Sequence, residues 1–435
     1  MSTAPPTTTQ PPAAPARHSL AALGLILLVV FCALGLGRFG YTSILPAMQE
    51  ALALTNTQTG ALQSWNLLGY LLTVAWAGAL AARFGPRGVI AVSLLIAAAG
   101  MGVTGLVPVF GGACLGRFLA GVGGAGSNVP AMALVSAWFG PRTRGLAAGA
   151  AAAGSSLGLM VTGPLVPWIV RHAEPEGWRV SWYVLAAITL AVAVVVGVWL
   201  RNRPPASHAP PPGAGSPSSG RQAPATANAP VRWRDVYRSR LLWRLAGVYF
   251  GFGFSYIIYS TFFVRYLTAE THFTRTAAGT LWFEVGVVSI LSGFLWGAVS
   301  DRWGRRAALV WVFALQGASF TLFGLSRGQP GIYLSAALFA LTGWSIPALM
   351  AAVCGDLFGA RMAPAALGLI TLVFGFGQAL GPYLAGRIAD ATHSFAPAFL
   401  LAGAAAWLVG MGGALTLPKR LAAAHPAAPR PPGAA

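Results

Sequence analysis

The chain has 435 residues, of which 56% are hydrophobic and only 9% are charged, and its mean hydropathy is +0.67. Soluble domains carry about 25% charged residues, so this composition excludes a water-soluble globular protein. The net charge of +19 would suit a nucleic-acid partner, but the sequence contains no basic face with interleaved aromatic residues, which argues against that partner.

Twelve apolar runs of about 20 residues follow one another along the chain, and they predict twelve transmembrane helices. The first run lacks a small-residue cleavage site, so we interpret it as a retained helix rather than a signal peptide. The predicted spans cover residues 20–48, 59–82, 89–107, 112–139, 145–170, 182–200, 241–267, 277–300, 307–325, 331–358, 365–388 and 395–417.

The arginines are distributed unevenly between alternate loops. If the N-terminus is inside, most of them lie in inner loops and tails, with a cluster in residues 201–240. The outer loops carry only Arg171, Arg179, Arg265, Arg275 and Arg327. This positive-inside asymmetry predicts that both termini are cytoplasmic.

The chain divides into two similar halves. Residues 1–18 and 419–435 predict disordered cytoplasmic tails, and the Pro/Gly/Ser-rich residues 201–239 predict a flexible cytoplasmic linker. Gly60 and Gly279 are 219 positions apart, as are Gly78 and Gly297. This constant offset predicts an all-α membrane protein with two pseudo-symmetric six-helix bundles, residues 19–200 and 240–418.

The segment GAVSDRWGRRAAL, residues 297–309, resembles the inner-loop signature of the major facilitator superfamily position by position. We expect Gly304 to form a tight turn and Asp301 to hold neighbouring helix ends together. The first-half counterpart, GALAARFGPRGVI, has Ala82 where the family has aspartate, which predicts a weaker latch. The resemblance implies a conformational gate made of Gly78, Gly85, Arg87, Gly297, Asp301, Arg302, Gly304 and Arg305.

The segment GRFLAGVGGAG, residues 116–126, resembles the R-x-x-x-G-x-G element of the superfamily through Arg117, Gly121 and Gly123. These glycines also match a dinucleotide fingerprint, but no strand precedes them. We therefore interpret the small residues as sites of close helix packing.

Two further segments, GLGRFGYTSILPAM in span 1 and GFGFSYIIYSTFFVRYL in span 7, resemble the YbfB-like branch of bacterial carriers. The resemblance covers about residues 20–417. It implies the twelve-helix fold of the superfamily and a secondary active transporter, not an enzyme, in the bacterial inner membrane. We expect a monomer in contact with membrane lipid that transports a small-molecule substrate.

Several motifs of other classes are incomplete. The segment GSSLG around Ser156 has the form of a nucleophile elbow, but every histidine lies in a predicted loop or tail, which argues against a hydrolase. The sequence holds neither a phosphate-binding P-loop nor a His/Cys spacing typical of metal sites. We therefore expect no metal, no cofactor and no ATP-driven transport.

Whereas Arg244 and Arg387 lie close to span ends, three charged side chains lie deep within the predicted spans, Arg38, Arg117 and Glu284. A charge at the bilayer centre costs about 2.5–3.5 kcal/mol on insertion scales, so such residues indicate a functional site. At the rise of an α-helix they lie about 15, 8 and 10 Å below the outer ends of their spans. Two cations against one carboxylate leave about one positive charge, which a ligand carboxylate would balance.

These observations lead to the hypothesis of proton-coupled symport of a small organic anion. Arg38 binds the anion, and Glu284 pairs with Arg38 and carries the coupling proton. Trp65 and Trp282 are further aromatic candidates for the cavity. The predicted substrate-binding residues are Arg38, Tyr41, Asn66, Arg117, Tyr256, Tyr259 and Gln378.

Simpler roles remain open for the same residues. Arg38 could extend to the outer interface, Arg117 could bond helix carbonyls, and Glu284 could only lock an outer gate. The alternative functions are proton-coupled efflux of amphipathic drugs or metabolites, in which Glu284 attracts cations, and a transport-inactive membrane receptor on the same fold.

Overall fold

The computed structural model describes residues 17–140, 143–203 and 237–418, so the predicted tails and most of the predicted linker lie outside the described residues. Within these ranges the chain is almost entirely helical, and twelve helices are long and apolar enough to cross a membrane. They are α1 His18–Ala51, α2 Asn56–Phe84, α3 Pro86–Leu106, α4 Phe110–Trp138, α5 Arg144–His172, α6 Gly177–Trp199, α7 Arg240–Glu270, α8 Arg275–Trp303, α9 Arg305–Leu325, α10 Gln329–Gly359, α11 Ala365–Thr392 and α12 Ala396–Leu415.

The predicted all-α fold with twelve membrane helices is confirmed. Local sequence signals explain several helix ends. Thr55 caps α2 in a capping box with Gln58, so both side chains satisfy free backbone N–H groups. Gly85 ends α2 and Gly304 ends α8, with φ values of 84° and 90°. Glycine adopts such positive φ angles without steric strain, and the predicted turn at Gly304 is thereby confirmed.

Glycines bring neighbouring helix backbones into contact. A Cβ atom added to Gly158 of α5 would lie 2.0 Å from the Cα atom of Gly35 in α1. In the same way, a Cβ atom on Gly121 of α4 would lie 1.9 Å from the backbone oxygen of Asn66 in α2. The small residues of the 116–126 segment therefore act in helix packing, as the sequence predicted.

Four helices depart from regular α-helical geometry near their middle. One of them is α12, in which residues Ala406–Met411 form a π-helical segment. Residues Phe31–Phe39 of α1 form a π-helical segment. The α8 helix is interrupted between its parts Arg275–Ser289 and Ser292–Trp303, and α10 is interrupted after Thr342, before Ser345. Irregular backbone at this depth is tolerated where protein or a cavity surrounds it, so these interruptions indicate a site between the halves.

The two halves are joined tightly at one face of the molecule. We call the face on which α1 begins and α12 ends the terminal face, and the other the opposite face. At the opposite face the Asp390 carboxylate of α11 accepts hydrogen bonds from the N–H groups of Asn56 and Thr57, at 2.9 and 2.8 Å. Glu50 of α1 forms an ion pair with Arg275 of α8. These contacts close the opposite face.

The halves are separated towards the terminal face. A cavity of about 530 Å³ lies there between α4 and α5 of the first half and α8 and α10 of the second. It extends from Ser156 and Trp344, near the middle of the membrane, to Gly145 and Ala351, nearer the terminal face. The structure is therefore closed at the opposite face and has a cavity on the terminal side. We call this cavity between α4, α5, α8 and α10 the terminal cavity.

Candidate functional site

The position of Arg38 follows from the geometry of α1. The side chain is carried by the last turn of the π-helical segment, in which Gly40 donates to the carbonyl of Gly35, five residues earlier. Gly35 is also the residue at which α1 touches α5. Because backbone contact holds α1 in place at this point, the wider π-helical turn rotates the side chains that follow it about the helix axis. Such turns are frequent at functional sites. Arg38 is thereby directed between the two halves.

The Arg38 side chain is buried without an ionic partner. Only 6% of its surface is exposed, and its Nη2 atom is buried and has no hydrogen-bond partner. The guanidinium lies over the ring of Tyr70 in α2, 4.4 Å from the ring centroid. Among the described residues no carboxylate forms an ion pair with it. The site therefore carries an uncompensated positive charge.

The second half supplies a polar and aromatic wall opposite Arg38. Tyr256 of α7 lies close enough to Arg38 to interact electrostatically with it, and the Tyr256 hydroxyl accepts a hydrogen bond from the side-chain amide of Gln378 in α11. The ring of Tyr256 stacks on Phe252 at 4.5 Å. The structure therefore brings together three of the predicted substrate-binding residues, Arg38, Tyr256 and Gln378.

Four residues that the sequence did not single out complete this site: Tyr70, Asn128, Trp344 and Phe374. Asn128 of α4 donates to the Tyr70 hydroxyl at 2.9 Å. Trp344, at the interruption of α10, lies 5.0 Å from Phe39 and 6.3 Å from Tyr256, and its indole N–H has no partner. Phe374 stacks beside Tyr256 at 6.2 Å. An amide within an apolar helix was the available signal for Asn128, whereas aromatic residues are too frequent in membrane helices to stand out.

Arg117 lies elsewhere than predicted. It is completely buried inside the first half. There it donates to the carbonyl of Gly37 at 2.8 Å and to the side-chain oxygen of Gln63 at 2.8 Å. Its guanidinium also lies 4.8 Å from the ring centroid of Tyr41. These contacts join α1, α2 and α4, so Arg117 serves packing within one half and does not reach the terminal cavity.

Three other predicted ligands, like Arg117, form their hydrogen bonds within the half of the molecule to which each belongs. Tyr41 donates to the carbonyl of Thr59 at 2.8 Å, and Asn66 donates to the carbonyl of Arg117 at 3.0 Å. Tyr259 shares a hydrogen bond with Ser335 at 2.9 Å inside an aromatic cluster of the second half. All three are buried. Their polar groups have protein partners, so they do not form part of the site around Arg38.

Glu284 does not approach Arg38. It is exposed on α8, as are Phe283 and Val287, whereas the α8 residues that line the terminal cavity begin at Ser289. Glu284 forms no ion pair among the described residues. The predicted Arg38–Glu284 pair is therefore absent from this structure, and Glu284 is not positioned to attract a cation into the site.

The two remaining aromatic candidates do not line the site either. Trp65 is 42% exposed and packs edge-on against Phe118 of the same half. Trp282 is fully buried against Phe263 in the second half, with 5.0 Å between the ring centroids. Both side chains contribute to packing within their own halves.

The predicted gate residues lie on the terminal face. Arg305 donates to Asp356 of α10 at 2.9 Å and to Asp301 at 2.5 Å, so the second-half loop is tied to α10. In the first half, the backbone N–H of Arg87 donates to the side chain of Asn202 at 2.7 Å. Gly78, Gly297 and Arg302 have open surroundings. In this conformation each loop network stays within its own half.

The sequence as a whole decides the family. Residues 30–413 match the profile of a family described as "Uncharacterised MFS-type transporter YbfB". The chain belongs to this family. It is accordingly an integral membrane transporter of the major facilitator type rather than an enzyme, and it acts on a small-molecule substrate.

Relatives of this MFS-type transporter have named substrates. It is 26% identical to the probable sulfoacetate transporter SauU of Cupriavidus necator, with 92% of this chain and 93% of the relative covered. It is 24% identical to the hexuronate transporter of Bacillus subtilis, with 85% and 87% covered. Monocarboxylate transporter 13 of Bos taurus is 26% identical, with 78% and 75% covered.

Solved structures share the fold of this MFS-type transporter. A bacterial homologue of the human lysosomal transporter Spinster, in an inward-facing and unoccupied conformation, superposes with a TM-score of 0.73. It is 17% identical, and 92% of this chain and 96% of that chain are covered. A D-xylose–proton symporter superposes with a TM-score of 0.66 at 15% identity, with 91% and 99% covered.

Proposed function

We propose that this protein is a secondary active transporter of a small organic anion, whose anionic group binds Arg38. The observation that carries the proposal is the buried guanidinium, whose Nη2 atom has no partner and which forms no ion pair with a carboxylate among the described residues. The cation–π contact with Tyr70 is worth about 2 kcal/mol or somewhat more for a desolvated pair. An unpaired buried charge costs several kcal/mol, so an anionic ligand would remove a large unfavourable term.

The relatives support an anionic substrate. Sulfoacetate and hexuronate carry negative charges, as monocarboxylates do, and the three relatives named for them cover most of this chain. Arginine suits this substrate class because its planar guanidinium forms two parallel hydrogen bonds to a carboxylate or sulfonate group.

The position of the site between the halves supplies a transport mechanism. Arg38 and Tyr70 belong to the first half, and Tyr256 and Gln378 belong to the second. An anion that contacts both groups binds best when the halves are close, so it favours rearrangement of one half against the other. The halves would then expose the site alternately at the two faces.

We further propose that the terminal face is cytoplasmic and that the membrane is the bacterial inner membrane. The arginine asymmetry between alternate loops supports this orientation. The structure then corresponds to a state closed towards the outside, with a cavity on the cytoplasmic side.

Coupling to protons is the proposed source of energy for uptake. An anion that enters a cell against an inside-negative potential is opposed by about 2.3 kcal/mol per 100 mV, and a co-transported proton cancels that charge. Since Glu284 is exposed away from Arg38, the geometry does not favour it as the carrier of the coupling proton.

Counterflow in liposomes tests the proposal. Purified protein is reconstituted into vesicles loaded with an unlabelled anion, such as sulfoacetate, a short monocarboxylate or a hexuronate, and the uptake of the labelled anion is measured. We expect wild type to exchange at least one of them. Arg38→Ala should lose this exchange, and Arg38→Lys should show weaker affinity because lysine lacks the bidentate geometry. Arg244→Ala, on an exposed position of α7, is the matched control.

Two results would contradict the proposal. If Arg38→Ala exchanges every anion as well as wild type does, the arginine is not a substrate ligand. If wild type binds anions in a thermal-shift assay but exchanges none of them, the receptor alternative is correct. For the proton, an imposed inward pH gradient should drive accumulation of the anion, and unchanged uptake without the gradient would exclude proton coupling.

A further inference from the structure

The terminal cavity has an almost purely apolar lining. Its walls come from all four surrounding helices, and no charged residue is among the described residues that line it. Its volume of about 530 Å³ falls within the range of roughly 300–1,000 Å³ that is typical of small-molecule sites. The cavity is therefore large enough to hold an organic ligand and offers that ligand mainly hydrophobic contact.

The two serine hydroxyls of the cavity wall already bond one another. Ser156 of α5 and Ser289 of α8 share a hydrogen bond at 2.9 Å, and the Ser289 hydroxyl also lies 2.9 Å from the carbonyl of Gly286. A hydroxyl-rich ligand would find few free partners here. Each hydroxyl left without a partner would weaken binding by roughly tenfold.

The mid-membrane end of the cavity is adjacent to the Arg38 site. Trp344 lines the cavity, and the same side chain contacts Phe39, the neighbour of Arg38, and Tyr256. Its unpartnered indole N–H is a second free donor beside the free Nη2 atom of Arg38. Trp344 therefore offers a free donor at the cavity wall, and Tyr256, which interacts with Arg38, connects it to a second free donor on a residue that is not among the cavity-lining ones. This arrangement matches an anionic head with an apolar body.

From this juxtaposition we propose the substrate class, resting on the proposed function: a monoanion with an apolar aliphatic or aromatic body. Its carboxylate or sulfonate group binds Arg38, and its body lies in the terminal cavity between α5 of the first half and α8 and α10 of the second. Polyhydroxylated sugar acids are excluded by the same lining. The substrate of this chain would then differ from that of its hexuronate-transporting relative.

The proposal is tested by equilibrium binding to the purified full-length protein. The probes are butanoate, hexanoate, octanoate, benzoate and glucuronate. Because each buried methylene strengthens binding by about fourfold, we expect Kd to fall from butanoate to octanoate and glucuronate to bind most weakly. Ala152→Leu and Ala348→Leu, which enlarge a cavity-lining residue on either side, should weaken octanoate and benzoate at least tenfold more than butanoate.

Ala133→Leu is the matched control, because Ala133 lines a separate cavity beside α2 in the first half. It should leave the chain-length dependence unchanged. The proposal is wrong if glucuronate binds wild type as tightly as octanoate does, or if both cavity variants weaken every anion equally. Those outcomes leave the proposed function intact as long as Arg38→Ala abolishes binding of butanoate. If none of these five anions binds, this proposal is wrong, and the proposed function is wrong as well if sulfoacetate also fails to exchange in the counterflow assay.

Discussion

The contact between Asp390 and the start of α2 is expected to control closure of the opposite face. The carboxylate accepts hydrogen bonds from the backbone N–H groups of Asn56 and Thr57 and, at 2.6 Å, from the Thr57 hydroxyl. It thus caps the N-terminus of a helix in the first half with an acidic residue from the second. Asp390→Asn removes the charge and turns an NH₂ group towards these donors.

The size of the effect follows from these contacts. A negative charge at a helix N-terminus contributes about 0.3–1 kcal/mol, and a hydrogen bond to a charged group contributes roughly 1.5–3 kcal/mol. Asparagine keeps one acceptor oxygen, and the site is partly exposed, so we expect a net loss of about 1–2 kcal/mol. Such a loss shifts the equilibrium between the closed and open opposite face by about 5- to 30-fold.

Distance measurements between spin labels report this equilibrium directly. Labels at Ala51→Cys and Ala391→Cys occupy exposed positions at the opposite face, one in each half, and the three native cysteines are buried and can be replaced by alanine. Asp390→Asn should increase the population with long distances between the labels, because the halves separate at this face.

Glu270→Gln provides the matched control. Glu270 accepts hydrogen bonds from the Ser394 hydroxyl at 2.6 Å and from the Phe395 N–H at 2.7 Å, so it caps the start of α12 from α7 within one half. This variant should lower thermal stability without changing the distance distribution. If Asp390→Asn leaves the distances unchanged, or if Glu270→Gln shifts them equally, the contact does not control closure.

Three further variants, the first with a control, test other parts of the structure. Gly158→Ala should lower the free energy of unfolding by about 1–3 kcal/mol or prevent folding, because the added methyl group would overlap the backbone of α1. Its control is Gly24→Ala, since Gly24 of α1 has open surroundings. This control variant should leave the melting temperature unchanged or raise it. Glu284→Gln should keep both anion binding and proton-driven uptake, since Glu284 does not face Arg38, and loss of accumulation would restore the predicted role of that carboxyl. Asp301→Asn should slow counterflow several-fold and leave substrate Kd unchanged, because it weakens the loop network on the terminal face; loss of binding with normal cycling would contradict this interpretation.

The twelve-helix fold was predictable from the sequence for a physical reason. Backbone N–H and C=O groups have no water partners inside a bilayer, so an apolar run of sufficient length must satisfy them within a helix. The predicted spans agree with the observed helices to within a few residues at most ends. The turn at Gly304 was equally predictable, since its local sequence already requires a residue that tolerates positive φ.

The depth of charged residues was also accessible from the sequence, because the rise of a helix is constant. Burial of Arg38 within a span was predicted from that rise and is observed. The sequence predicted Glu284 as the carboxylate partner of Arg38, whereas no carboxylate among the described residues forms an ion pair with Arg38. A position along a helix defines depth only, and it leaves the direction of the side chain around the helix axis undetermined.

Only the tertiary structure decided those directions. The π-helical segment of α1 changes the rotational phase of the residues that follow it, so a regular helical wheel does not predict that Arg38 turns between the halves while Tyr41 turns into its own half. Likewise, packing of α4 against α1 and α2 gives Arg117 protein partners, and the orientation of α8 leaves Glu284 exposed. The sequence by itself therefore determined the family and the fold. Which of Arg38 and Arg117 lies between the halves depended on which helices pack against one another, and this is a long-range property that no local pattern contains.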